Sequence, residues 1–407
     1  MFETRKIIFA VLVLLTVSQV ASAQRAKYTI VSLGQPGEMV SGGQAVSPNG
    51  QYGAGFTDQV ATLWNAKGGI LNLAPVPSRP FSVPEGVNDF GTVAGIGATT
   101  FFGSSPLPVI WKNDMAIILE LPAGQTLGRA YGLNNAEVVV GSVNGGSVEV
   151  AAMFSEKSAG SVITETLPNG GILRVAYGIS NTGRIVGSGT NPNNAAVTSG
   201  WYLDPGDATA TNIGALVEIG HNSAVPFGVS SAGLITGSSS LNSGVNGRAF
   251  LWTDDDGMKE LPLPPGATSA SGRGVNDDGW VVGNAGGVTS LPFIYDGSGT
   301  YLLQDVIAFD GDGWDLTAGT SNAAFCISND GTIFGRGLLN GQLTGFAMIR
   351  TILIGDTNGD GEVSLLDVSP FVITVAGGPF LEAADINCDG EINLLDVGPF
   401  VDLLTGN

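Results

Sequence analysis

The chain has 407 residues, 62 of them Gly and 20 Pro, with 13% charged residues and 36 Asp and Glu against 16 Lys and Arg, a formal net charge of −20. That acidity argues against nucleic acid and anionic membrane surfaces as partners and favours cations. A turn-dense chain with 43% hydrophobic residues and no long amphipathic helical pattern before residue 360 is expected to be all-β over most of its length.

Arg5 and Lys6 precede an apolar run from Ile7 to Val17, and Ala21-Ser22-Ala23 supplies small residues at cleavage positions. This reads as a secretory signal peptide over residues 1–23, cleaved before Gln24, because the run is short for a membrane span. Its removal takes away Glu3, Arg5 and Lys6, a net of +1, and moves the charge from −20 to −21. The mature protein is expected to be secreted, extracellular or at the cell surface, with no membrane span.

Residues 24–350 form the next region, and its content is one ten-residue pattern written seven times: AVSPNGQYGA from 45, then copies from 86, 132, 178, 228 and 274 (GVNDDGWVVG), and CISNDGTIFG from 326. The Asn or Ser anchors at 47, 88, 134, 180, 230, 276 and 328 are 41, 46, 46, 50, 46 and 52 residues apart, which marks a structural repeat array. An apolar residue, Asn or Ser, two turn residues and Gly describe a strand entering a type I turn whose Gly is left-handed. The terminal Gly suits close approach of another backbone. Two copies depart. Glu137 stands at the turn-Gly position, so Asn135 is expected to carry the left-handed residue there, and the first copy ends in Ala54.

Each hairpin is followed by an apolar-aromatic strand carrying Trp64, Trp111, Phe154, Trp201 with Tyr202, Trp252, Tyr295 or Phe346, and most of these by a Leu-rich strand such as KELPLPPG. Four short strands per unit of about 46 residues is the content of a propeller blade. The seventh unit lacks its Leu-rich strand, while an unassigned strand, Tyr28 to Gly37, precedes the first hairpin. The expectation is a seven-bladed β-propeller of four-stranded repeats, closed by the amino-terminal strand so that no edge is left unpaired. Seven buried aromatics would contribute on the order of 10 to 20 kcal/mol gross. Aromatic residues, Trp280 and Trp314 included, are therefore core before they are carbohydrate platforms.

RAFLWTDDDGMKELPLPPGATSASGRGVNDDGWVVG is the copy that most clearly resembles the HAF family of bacterial extracellular repeats, and the resemblance covers residues 28–350. It implies export and carries no active site.

Residues 351–407 differ in kind: ten acids and no Lys or Arg. The segments 356–367 and 385–396 match by type at ten of twelve positions. Each follows the calcium-loop rule of oxygen donors at positions 1, 3, 5, 9 and 12, a main-chain carbonyl at 7 and Gly at 6. The donors are Asp356, Asn358, Asp360, Ser364 and Asp367, then Asp385, Asn387, Asp389, Asn393 and Asp396, with Glu362 and Glu391 acting through their carbonyls. Two Ca²⁺ sites are expected. Asp at position 12, the spacing of 29 residues and one short helix after each loop, with Pro370 and Pro399 in the first turn, resemble the type I dockerin over residues 355–405. The resemblance implies a cohesin-like or other surface protein as partner. Both loops carry Leu-Leu at positions 10 and 11, where that family commonly has small hydroxyl residues, which leaves partner choice open. Val363, Leu366, Phe371, Ile392, Leu395 and Phe400 are the expected small core.

Catalytic motifs are sparse. The one histidine, His221, reads as a surface-loop residue, and neither G-x-S-x-G nor a phosphate loop occurs. The acidic runs at Asp254 and Asp310 read as solvated turns. A Cys326–Cys388 bond would pin the two regions together, but two free thiols is the default. The leading expectation is a non-catalytic binding or surface-assembly protein, with carbohydrate as a conceivable propeller ligand. The alternative is a polysaccharide-degrading hydrolase in a dockerin-cohesin type assembly.

Overall fold

The computed structural model describes residues 27–34 and 41–405, except 59, 67–68, 101–103, 145–147, 195, 243, 352–353, 359–362, 379–380 and 388–390. The signal-peptide expectation therefore falls outside the described residues. Two compact units are present, Ile30–Ile349 and a second that contains Arg350–Asn407.

Seven antiparallel sheets make up the larger unit, which is an all-β propeller with seven four-stranded blades. Their innermost strands are Ser41–Val46, Phe81–Val87, Leu127–Leu133, Leu173–Ile179, Ser223–Val229, Ser269–Val275 and Ala323–Ile327. In the last sheet Lys27–Ser32 lies beside Gln342–Thr351, so the amino-terminal strand completes the seventh blade. Leu33 N–H donates to the Gly345 carbonyl at 2.8 Å, and Ile30 and Leu33 are buried there. Two further strands make this sheet six-stranded, Ile307–Phe309 outside Lys27–Ser32 and Trp314–Asp315 beside Ile333–Leu339, and they account for part of the longer step into the last repeat.

The core lies between blades. One cluster joins Val140 and Ala151 of blade 3 to Ala176, Ile185 and Trp201 of blade 4, and the ring closes through Phe334 and Ala347 against Leu33, Val46 and Trp64. The aromatic strands place their rings in two registers. Trp201, Phe250, Phe293 and Phe346 face the motif-terminal glycines 187, 237, 283 and 335, whereas Trp111, Phe154, Trp252 and Tyr295 lie two residues further along the same face. Those glycines are needed because strand neighbours crowd them: a Cβ on Gly141 would lie 1.8 Å from the Arg129 carbonyl oxygen.

The repeated turn proves to be a clamp between blades. Asn134 Oδ1 accepts from the N–H groups of Ala136 and Val138, both at 3.1 Å, while its Nδ2 donates to the Ser180 carbonyl of the next blade at 3.2 Å. Asn88 and Asn276 do the same toward Asn134 and Ser328. One residue further, Asp89 N–H donates to Asn135 Oδ1 and Asn135 Nδ2 returns a bond to Asp89 at 2.7 Å. The anchors are thus buried Asn or Ser residues; the three Asn anchors have their side-chain polar groups satisfied, as an interior demands, whereas the Ser230 hydroxyl is buried without a hydrogen-bond partner.

Of the two departures from the pattern, the first resolves differently from expectation and the second has a local cause. Glu137 itself adopts the left-handed conformation, φ 59°, and Asn135 does not, because Asn135 is engaged with Asp89 while Lys112 Nζ reaches Glu137 at 2.6 Å. The first turn contains one extra residue, so Gly55 rather than Ala54 meets the neighbouring carbonyl, that of Gly42.

In the C-terminal unit, helices Val368–Val375 and Val397–Thr405 follow the two loops. Phe371 and Phe400 stack at 3.9 Å over Ala384. Leu366 and Leu395 do not join this core: they are 71% and 68% exposed. No helix among the described residues is long and apolar enough to cross a membrane.

Candidate functional site

Every innermost strand carries a β-bulge at the same place, three residues before its anchor. The residue skipped by the pairing is Gln44, Glu85, Tyr131, Tyr177, Phe227, Arg273 or Phe325 in blades 1 to 7, and all seven line a central cavity of about 210 Å³. A bulge re-aims one side chain without ending the strand, and here it turns one residue per blade inward. The seven positions are half-buried.

Around the ring, Tyr131, Tyr177 and Phe227 form a run of tilted pairs with centroids 5.7 and 5.3 Å apart. The Arg273 guanidinium continues it, 4.2 Å above the Phe227 ring. Burial holds the Arg273 pKa below its usual value. Its Nε is enclosed without a hydrogen-bond partner, and no described carboxylate pairs with it. Glu85 stands three blades away, the greatest separation a seven-membered ring allows. Desolvation deep inside the ring pushes its pKa up to about 7, opposed by the Arg129 charge, and burial raises Tyr131 to about 12.

Sequence reading placed no residue in this channel, although the signal was present: the position three before each anchor is polar or aromatic in all seven copies. His221 is a correction. It is buried beside Ser239 Oγ (3.3 Å), and burial lowers its pKa. Trp314 is core, packed edge-on against Phe346. The Asp254 turn is held by ion pairs, Asp254 to Arg184 at 3.0 Å and Asp256 to Lys259 at 2.7 Å. Burial raises the pKa of Cys326, while Cys388 lies outside the described residues.

The two expected calcium loops have matching frames where they are described. Asp367 and Asp396, at position 12, are fully buried. Asp367 accepts from the N–H groups of Asn358 and Ser364, both at 2.8 Å, and Asp396 from those of Asn387 and Asn393 at 3.2 and 2.9 Å. Position 9 caps the following turn in both: Ser364 Oγ accepts from Leu366 N–H and Asn393 Oδ1 from Leu395 N–H. Asp356 and Asp385, at position 1, are 7% and 8% exposed. Oxygen donors of this kind fit a hard cation, in a segment without Lys or Arg. Asp360, Glu362 and Asp389 lie outside the described residues, and among those described no three acidic, histidine or cysteine side chains form a metal cluster.

No family model matches the chain, and no curated protein matches it. Among solved structures it is similar to a streptogramin B lyase, at 11% identity over 80% of this chain and 100% of that one, TM-score 0.48. It is also similar to the β-propeller domain of the Trilobed protease from Pyrococcus furiosus, at 10% identity over 76% and 95%, TM-score 0.41. For TolB from Acinetobacter baumannii the identity is 11% and the TM-score 0.43, over 64% of this chain and 61% of that protein's length.

Proposed function

We propose that the chain is an exported, non-catalytic binding or surface-assembly protein, attached through a calcium-dependent, dockerin-like module at residues 351–407. The observation that carries this reading is the repetition of one hydrogen-bond frame in both loops, with buried Asp at positions 1 and 12. Acidic side chains gathered in a small turn repel one another, and a bound cation offsets that repulsion. When bound, calcium would be held by Asp356, Asn358, Asp360, Ser364 and Asp367 and the Glu362 carbonyl, and by the equivalent six residues from Asp385 to Asp396. Leu365, Leu366, Leu394 and Leu395 at positions 10 and 11 are 68 to 80% exposed, an apolar surface duplicated by the repeat that suits a cohesin-like or other surface protein. The hydrolase alternative needs two carboxylates flanking a sugar bond. Glu85 is the one carboxylate among the described channel-lining residues.

Calorimetric titration of the full chain should reveal two calcium sites, in the roughly 10⁻⁴ to 10⁻³ M range of extracellular modules or tighter. Asp356→Ala combined with Asp385→Ala should remove both, together with calcium-dependent retention of a surface protein. Absence of calcium binding by the wild-type chain would overturn the reading.

A further inference from the structure

We propose that the central cavity of the propeller is a binding site for a small carboxylate with a ring or compact apolar body, its acid group on Arg273 and its body against Tyr177 and Phe227. This goes beyond the surface-assembly reading and does not depend on calcium.

The first argument is that the site is built. Seven equivalent bulges each aim one side chain inward, and those side chains are four aromatics, one amide, one acid and one guanidinium. The second is the state of Arg273. The chain has 36 acids against 16 Lys and Arg, and Arg184 and Arg248 each hold carboxylates, at 2.7 Å to Asp204 and 3.1 Å to Glu260. Arg273 holds none among the described residues, although its Nε is enclosed. Partly burying a cation without a counter-ion is costly, and a ligand carboxylate meets the guanidinium fork with two parallel hydrogen bonds. The acidity of the whole protein does not cancel this, since charges beyond about 10 Å are largely screened at ordinary ionic strength.

Size and shape narrow the class. A cavity of about 210 Å³ holds about seven waters at ~30 Å³ each, less than the ~300 Å³ at which pockets for drug-sized ligands begin. It admits a single ring. The Tyr131–Tyr177–Phe227 run supplies aromatic faces and edges against which a ring stacks in offset or edge-on fashion. Across the ring, Glu85 donates a hydrogen bond when protonated and repels an anion when ionised. The Arg129 charge that acts on Glu85, and Tyr131, whose hydroxyl feels Glu85, do not change that sign.

Benzoate is the probe. Titration into the full chain at pH 6 should give one site that binds at least tenfold more tightly than benzyl alcohol, which lacks the acid, or inorganic phosphate, which lacks the ring. Arg273→Gln should weaken benzoate at least tenfold, Arg248→Gln should leave it unchanged, and wild-type affinity should fall severalfold between pH 6 and pH 8.5. Asp356→Ala with Asp385→Ala should not affect it, which separates failure here from failure of the calcium reading. Equal affinity for benzoate and benzyl alcohol, tighter phosphate than benzoate, no benzoate binding at millimolar concentration, or full affinity in a folded Arg273→Gln chain would each overturn the proposal. The wild-type arms decide it even if that variant does not fold.

Discussion

Glu85 carries the sharpest residue-level consequence. Its carboxyl titrates near 7 in the folded chain against 4.5 as its ordinary value, so between those two pH values the folded state holds the extra proton. Stability contributed by this group is therefore present below about pH 4.5 and lost as pH rises through 7, the reverse of an ion-paired carboxylate. Glu85→Gln removes the titration. The variant should match wild type near pH 4.5, gain on it through pH 7, and lead above pH 7 by up to about 3 kcal/mol, a few pKa units of linkage at 1.36 kcal/mol each. Chemical denaturation of both proteins across pH 4.5 to 8.5 measures this, and a constant difference would show that Glu85 is solvated. Glu137 teaches a different lesson at the same scale. A non-Gly residue holds the left-handed turn position, φ 59°, where its carboxylate is fixed by Lys112 and Thr92. Local propensity favoured Asn for that conformation, and a tertiary ion pair outweighed it.

At the scale of elements, the amino-terminal strand is the closure device. Ile30 and Leu33 are 1% and 8% exposed, and their burial is worth roughly 3 to 6 kcal/mol together. Removing the strand also exposes the edge of Gln342–Thr351. Deletion of residues 28–37 should therefore lower the midpoint and broaden the melt of the entire propeller, whereas an open array would only fray at one end. Calorimetry that finds the main transition unchanged would contradict closure as the source of cooperativity. The three Asn clamps add to that cooperativity at the junctions of blades 2 and 3, 3 and 4, and 6 and 7, because each joins its own turn to the next blade's anchor.

For the molecule as a whole, the proposed binding role predicts that the purified protein turns over no polysaccharide. One carboxylate lines the described channel, where a glycosidase needs a pair. No release of reducing sugar from plant or microbial polysaccharides is expected from the purified protein. Release abolished by Glu85→Gln in a folded chain would restore the hydrolase alternative.

Much of the architecture was legible in the primary structure. Seven anchors at 41 to 52 residue steps gave the blade count, and the missing last strand with the spare first one gave the closure. These follow from local rules, because a repeated turn and an alternating strand look the same wherever they occur. The channel was not legible in the same way. Its seven lining residues share no chemistry, lie 41 to 52 residues apart, and converge only because a bulge recurs at one register in strands arranged about an axis. The exposure of Leu366 and Leu395 was equally a tertiary decision: the stacked Phe371 and Phe400 fill the small core around Ala384, so the turn that carries each Leu faces outward. Sequence determined which elements form and how many, since that depends on spacing and turn chemistry. Tertiary structure decided which side chains meet, since that depends on register and closure, which no single repeat contains.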